Sequence, residues 1–272
     1  MSADEVEASS APLIEHLIEL RRRLFYSVIA IAVFFVICFI FANQIFNILV
    51  IPYQWGAGTT DVKFVYTALQ EYFFTQMKLA FFGAMFISFP VVASQVYKFV
   101  APGLYKNERS AFLPFLVATP VLFLTGACLV YFLVMPMATR FFLSQQQAGG
   151  DGLATIENLQ AVSTYLSLIM TLIFAFGIMF QLPVVIGLLA KADLISSQTL
   201  VEKRKYAWVI GFILGAVLTP PDPISQIGLA APSLLLYEVS IILARFIEKQ
   251  RLARRRAEEE KDQAQSEGAE AS

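Results

Sequence analysis

Charge is what this chain has least of: Asp, Glu, Lys and Arg make up only 15% of its 272 residues, against 57% apolar, and the mean hydropathy is +0.65. A water-soluble domain of this length carries more charge and fewer than the 25 phenylalanines found here, so the composition is that of a membrane protein with several spans. Histidine occurs once, at His16, and cysteine twice, as Cys38 and Cys128, both inside apolar runs. Neither cysteine has a partner at metal or redox spacing, which leaves no disulfide framework and no Cys/His metal centre. A His-Glu-x-x-His helix, a Gly-x-Ser-x-Gly elbow and a phosphate-binding glycine loop are all missing, so the metal, serine and nucleotide routes lack their parts. No apolar run has an aspartate at its centre, as an intramembrane aspartyl protease needs. No covalent chemistry, cofactor, metal or nucleic-acid partner is expected.

What is present is a series of apolar segments, measured against the roughly 20 residues a helix needs to cross about 30 Å of hydrocarbon. They run at about 24–42, 73–97, 112–137, 165–190, 206–219 and 224–244. This predicts an all-α, polytopic fold of six transmembrane helices in one membrane domain, residues 1–250. The fifth and sixth are short and are separated by Thr219-Pro220-Pro221-Asp222-Pro223, since proline lacks a backbone donor and clashes with the preceding turn. Local thinning of the bilayer, or shielding by neighbouring helices, is the physical response to such a mismatch. Residues 251–272 have no apolar stripe to bury and read as a charged tail, either disordered or a frayed helix.

Basic residues set orientation, and they are unevenly shared between alternate sides of these segments. Lys63, Lys78 and Arg140 fall on one side and the other seventeen of the 20 Lys and Arg on the other, including Arg21 to Arg23 and the basic tail. Both termini are therefore expected in the cytoplasm, and the even number of spans agrees. Arg22-Arg23-Leu24-Phe25 ahead of an apolar run is similar to a twin-arginine export signal. That run exceeds the roughly 7 to 15 residues of a signal-peptide core, so the segment is expected to stay as the first span.

Two carboxylates stand out at the basic rim. Glu19 precedes Arg21-Arg22-Arg23, and Glu108 lies between Lys106 and Arg109. Acidic residues contribute little to topology, so both are candidates for binding a cation. Around Glu19, apolar residues at Leu13, Leu17, Leu20 and Leu24 have the spacing of one helical face, which predicts an amphipathic surface helix feeding the first span. Around Glu108, Pro102 and Gly103 break the chain into a tight loop.

His16-Leu17-Ile18-Glu19-Leu20-Arg21-Arg22-Arg23-Leu24, the loop from Phe99 to Arg109, Ala175-Phe176-Gly177 with Gln181 and Pro183, and Leu218-Thr219-Pro220-Pro221-Asp222-Pro223-Ile224-Ser225-Gln226 together resemble the TatC family of twin-arginine translocase proteins. The four motifs occur in order and cover nearly the whole chain. The resemblance implies a receptor for the Arg-Arg signal peptides of folded cargo. It implies a bacterial plasma-membrane translocase that uses the proton-motive force and contains TatA- and TatB-type single-span partners, in homo- and hetero-oligomers. It also implies that Glu19, Arg21, Phe99, Lys106 and Glu108 bind the signal peptide. A guanidinium is a rigid fork of donors that matches a carboxylate bidentately, so two carboxylates suit two consecutive arginines.

Each of these residues has a plainer reading beside that one. Glu19 can pair with Arg22 or Arg23 on its own helix, Glu108 can simply be solvated, Phe99 can anchor at the interface, and Arg21 can serve orientation alone. Three further positions read as structural or partner contacts. Pro52 shapes the first external loop. Gln181, where the family often has Glu, can make an interhelical hydrogen bond worth about 0.6 kcal/mol. Asp222 can cap a turn. His16 reads as a surface residue on the polar side of its helix. A secondary transporter for a small solute is the alternative function, but that class has inverted repeats and buried ionisable residues, and neither is visible here.

Overall fold

The computed structural model describes the backbone of residues 3–66, 68–104, 113–146, 160–218 and 223–270. Lys106, Glu108 and Asp222 lie outside these residues. Apart from two strands of two residues each, the described elements are helices, so the all-α expectation is met. Helix α1 (Ala3–Ile40) runs through the first apolar segment without a break. The amphipathic surface helix and the first span are therefore one rod, because nothing between 13 and 40 is a proline or glycine that could interrupt it.

Helix α2 (Ala42–Ala57) follows where the sequence pattern places an external loop. Pro52 lies inside it, almost wholly buried. A proline cannot bond the carbonyl four residues earlier, and here that carbonyl, Ile48 O, accepts instead from the Tyr131 hydroxyl at 2.8 Å. The neighbouring Leu49 O accepts from the buried Tyr165 hydroxyl at 2.7 Å. Two tyrosines from later segments thus receive the backbone groups at the irregularity. Strand β1 (Phe64–Val65) pairs in parallel with strand β2 (Gln160–Ala161), which ties the segment after α2 to the start of the fourth apolar run.

Helix α3 (Glu71–Leu104) forms the second long rod and packs along α1. The two approach closely at Gly83, where a methyl group would sit 2.9 Å from Cys38 Sγ. The third segment is divided into α4 (Leu113–Leu129), a π-helical turn (Val130–Val134) and α5 (Met135–Leu143), with Pro136 at the start of the last piece. The wide turn positions Tyr131 for its bond to α2, a role consistent with π-bulges as local irregularities. The fourth segment is also divided, into α6 (Val162–Met179) and α7 (Leu182–Lys191), at a tightened turn before Pro183. Gly126 and Gly177 let α4 and α6 approach: a Cβ on Gly126 would lie 2.7 Å from Phe176 O, and one on Gly177 2.4 Å from the Phe123 ring. Small residues at such contacts are how membrane helices pack without a hydrophobic force between them.

Helix α8 (Ser197–Glu202) is short and leads into α9 (Arg204–Leu218) and α10 (Pro223–Glu270). Five helical stretches are long and apolar enough to cross a membrane, among the described residues: Ile14–Ile40, Glu71–Phe99, Pro114–Leu143, Val162–Lys191 and Gln226–Ala253. The fifth expected span, α9, has 15 residues and at about 1.5 Å per residue does not reach across the hydrocarbon. The expectation of a short sixth span is corrected. With 48 residues, α10 continues past 244 into the charged segment, because that segment is made of good helix formers and has no proline.

The core sits where α2, α3, the π-helical turn and α6 meet, around Leu79, Val130, Leu166, Ile169 and Phe176. Large apolar side chains on the outside are abundant. On α1, Leu24, Phe25, Val28, Val33, Val36 and Ile40 are all exposed, and only 11% of its span is buried. Exposed apolar surface of that extent belongs against lipid or other helices.

Candidate functional site

Over residues 16–27, the face of α1 that packs toward α3 is polar. His16, Glu19, Arg23 and Ser27 recur at spacings of three and four, which places them on one stripe of the helix. The expected apolar stripe lies roughly a quarter-turn round the helix from it and faces outward, with Leu17 at 62% and Leu24 at 60% exposure. In a bilayer that inversion is sensible, because lipid accepts the leucines and the protein interior satisfies the polar groups.

At the first turn of the stripe, the His16 ring stacks on Phe99 with centroids 4.2 Å apart and planes 18° from parallel. One turn on, Arg23 Nη2 donates to Glu19 Oε1 at 2.9 Å, and both side chains are about three-quarters buried, at 21% and 25% exposure. Ser27 is buried and donates to Arg23 O at 3.0 Å. Arg23 Nε is shielded from solvent and has no hydrogen-bond partner among the described residues, and the same holds for Gln95 Oε1. Gln95 lies four residues before Phe99 and hence on the same face of α3. The α1–α3 seam therefore holds a largely buried carboxylate, an aromatic platform, and a donor and an acceptor that no described residue uses.

The structure thus brings Glu19 and Phe99 to one seam, through His16, and separates Arg21 from them. Arg21 is exposed and two residues from Glu19, which turns it about 200° round the helix. The pairing of Glu19 with Arg23 on its own helix is present. His16 is exposed, as a surface reading of the sequence has it, and its ring also makes the contact to Phe99. Its signal was there in the His16, Glu19, Arg23 spacing, but a stripe of polar residues in water would face outward.

Gln181 occupies the turn between α6 and α7. Its Nε2 donates to Thr119 O at 3.0 Å and to Gly177 O at 3.4 Å. The backbone explains the second bond: Gln181 N pairs with Ile178 O, leaving Gly177 O without its usual helical donor. The interhelical hydrogen bond expected of this residue is present, to α4, while its Oε1 is buried and has no partner among the described residues. Nearby, Lys78, Phe82, Met170, Phe174, Leu182 and Leu214 border a largely apolar groove of about 780 Å³ between α3, α6 and α9. Its size and lining suit an apolar helix or lipid chain, with the charged Lys78 at its edge.

Comparison with known proteins places this arrangement in a family. Residues 15–232 match the family model of the Sec-independent protein translocase protein (TatC). The chain belongs to the TatC family. It is 50% identical over 249 residues to the Sec-independent protein translocase protein TatC of Magnetococcus marinus, covering 92% of this chain and 89% of that one. The Escherichia coli K12 TatC is 39% identical over 237 residues, covering 86% and 88%. A crystal structure of the twin arginine translocase receptor TatC superposes with a TM-score of 0.74 at 37% identity, over 86% of this chain and 99% of that one. The region matched by the family model contains the His16–Phe99 stack, the Glu19–Arg23 pair and Gln181. The chain is thus a member of a translocase family, with several helices able to span a membrane.

Proposed function

We propose that this TatC-family chain is the signal-peptide receptor of a twin-arginine translocase, and that Glu19 is one of its arginine-binding groups. The observation that carries this reading is the Glu19 carboxylate in the α1–α3 seam, partly withdrawn from water and beside the His16–Phe99 stack. A carboxylate in that setting already holds a guanidinium, that of Arg23. An incoming arginine can replace it in kind, and the displaced Arg23 keeps its Nε donor, which has no hydrogen-bond partner among the described residues. The exchange costs little because one guanidinium–carboxylate pair replaces another, while the ligand adds stacking on Phe99. Glu108 is assigned the second arginine, with Lys106 and Arg21 shaping the surrounding field.

In this reading both termini are cytoplasmic, six segments including the short α9 enter the bilayer of a bacterial plasma membrane, and residues 251–272 form a cytoplasmic tail. The signal's apolar stretch follows its arginines into the membrane beside the receptor. Single-span TatA- and TatB-type helices then assemble, Gln181 Oε1 offering an acceptor and Pro52 and Asp222 shaping the opposite rim. Transport of folded cargo is driven by the proton-motive force. The test is a titration of the reconstituted chain with peptides that carry Arg-Arg, Lys-Arg or Lys-Lys ahead of one apolar core. Arg-Arg should bind best, and equal binding of all three contradicts the proposal.

A further inference from the structure

We propose that the cytoplasm-assigned end of α10 carries a binding site for an anionic phospholipid, formed by Arg245, Lys249 and Arg256. With about 100° of rotation per residue, Arg245, Lys249, Leu252 and Arg256 recur at spacings of four, three and four and fall on one stripe. All four are exposed, and with Glu248 and Ala253 they line a groove of about 420 Å³.

The inward face of α10 is separate from this stripe and already engaged. Ile241 and Ala244 are buried, Glu248 accepts from Ser197 N and Ser197 Oγ at 2.6 Å each, and Arg251 pairs with Asp193. The carboxylate that lines the groove therefore has both oxygens committed to the start of α8. On the other flank of the basic stripe, Leu235, Val239, Ile242 and Phe246 repeat at four, three and four and are all exposed. That apolar stripe lies within the membrane-spanning stretch Gln226–Ala253, and the basic groove lies where the stretch ends.

A ligand that satisfies both flanks has acyl chains to lie along Ile242 and Phe246 and a phosphate to meet the three cations. An anionic phospholipid has that form. Basic groups at the end of a span attract such headgroups, and their aliphatic stems can lie along the apolar boundary. The site is independent of the signal-peptide reading, since it shares no residue with the α1–α3 seam.

The test uses the full chain in neutral detergent, with native mass spectrometry while phosphatidylglycerol or phosphatidylcholine is added. Phosphatidylglycerol should bind at least about tenfold more tightly, and Arg245→Gln/Lys249→Gln/Arg256→Gln should remove most of that preference. Leu252→Glu, which leaves the cations in place but adds a carboxylate to their stripe, should reduce it too. Lys203→Gln/Lys205→Gln, which removes two cations from α8–α9, should leave it unchanged, and soluble glycerol phosphate at equal concentration should not compete. A preference kept by both the triple variant and Leu252→Glu overturns the proposal. So does an equal loss in the Lys203/Lys205 control, or displacement of the lipid by glycerol phosphate.

Discussion

Arg23 holds Glu19 from one turn away on the same helix, with Nη2 2.9 Å from Oε1, while its own Nε is buried with no partner among the described residues. The pair blocks the carboxylate without committing it deeply, since i,i+4 ion pairs are worth about 0.3 to 0.5 kcal/mol. Arg23→Gln should therefore strengthen binding of an Arg-Arg peptide by about twofold, the equivalent of that energy. Glu19→Gln should weaken it by about tenfold or more, because a charge-assisted bond at a partly desolvated site contributes about 1.5 to 3 kcal/mol. Fluorescence anisotropy with a labelled signal peptide measures both.

The stack of His16 on Phe99 joins α1 to α3 at the same seam. Aromatic pairs contribute about 0.5 to 1.5 kcal/mol beyond their buried area. A double-mutant cycle of His16→Ala and Phe99→Ala, read by thermal unfolding in detergent, should show a coupling of about that size. Additive effects would mean that the two rings touch without stabilising the seam.

Pro52 and Tyr131 should show coupled effects. Tyr131→Phe leaves Ile48 O without its 2.8 Å partner, at a cost of about 1 kcal/mol. In a Pro52→Ala background the alanine N–H can reach Ile48 O, so the same Tyr131→Phe change should cost less. Equal costs in the two backgrounds, measured by thermal unfolding, would detach the tyrosine from the proline.

Gly177 is a contact that no other residue fits. A Cβ there would meet the buried Phe123 ring at 2.4 Å, and Phe123 stacks on Phe89 at 3.8 Å, so the ring has little room to retreat. Gly177→Ala should destabilise the chain by about 1 to 3 kcal/mol. Adding Phe123→Leu, which shrinks the obstructing side chain, should recover part of the loss in the same unfolding assay.

The parts of this fold that follow from hydropathy were legible in the sequence: the long apolar runs and the short α9, while the break before Pro183 inside the 165–190 run was not. Packing direction was not. The Leu17, Leu20, Leu24 stripe obeys the helical period, but period alone does not say whether lipid or protein takes it, and here those leucines face outward. Helix α2 was hidden because Pro52 looks like a loop former until Tyr131 and Tyr165, from segments far along the chain, take up the carbonyls beside it. The continuation of α10 was hidden because a charged segment with no apolar stripe gives no reason for a helix except propensity. At the site, Glu19 and Phe99 could be named from the motif, while the role of His16 needed the register of α1 on α3.

The most direct measurement is the affinity of the reconstituted chain for Arg-Arg, Lys-Arg and Lys-Lys peptides of otherwise identical sequence, in the unaltered protein and in Glu19→Gln. If Glu19 receives a guanidinium, the unaltered chain should favour Arg-Arg over Lys-Lys by about tenfold or more, and Glu19→Gln should erase most of that ratio. A ratio that is the same with and without the Glu19 carboxylate would contradict the assignment.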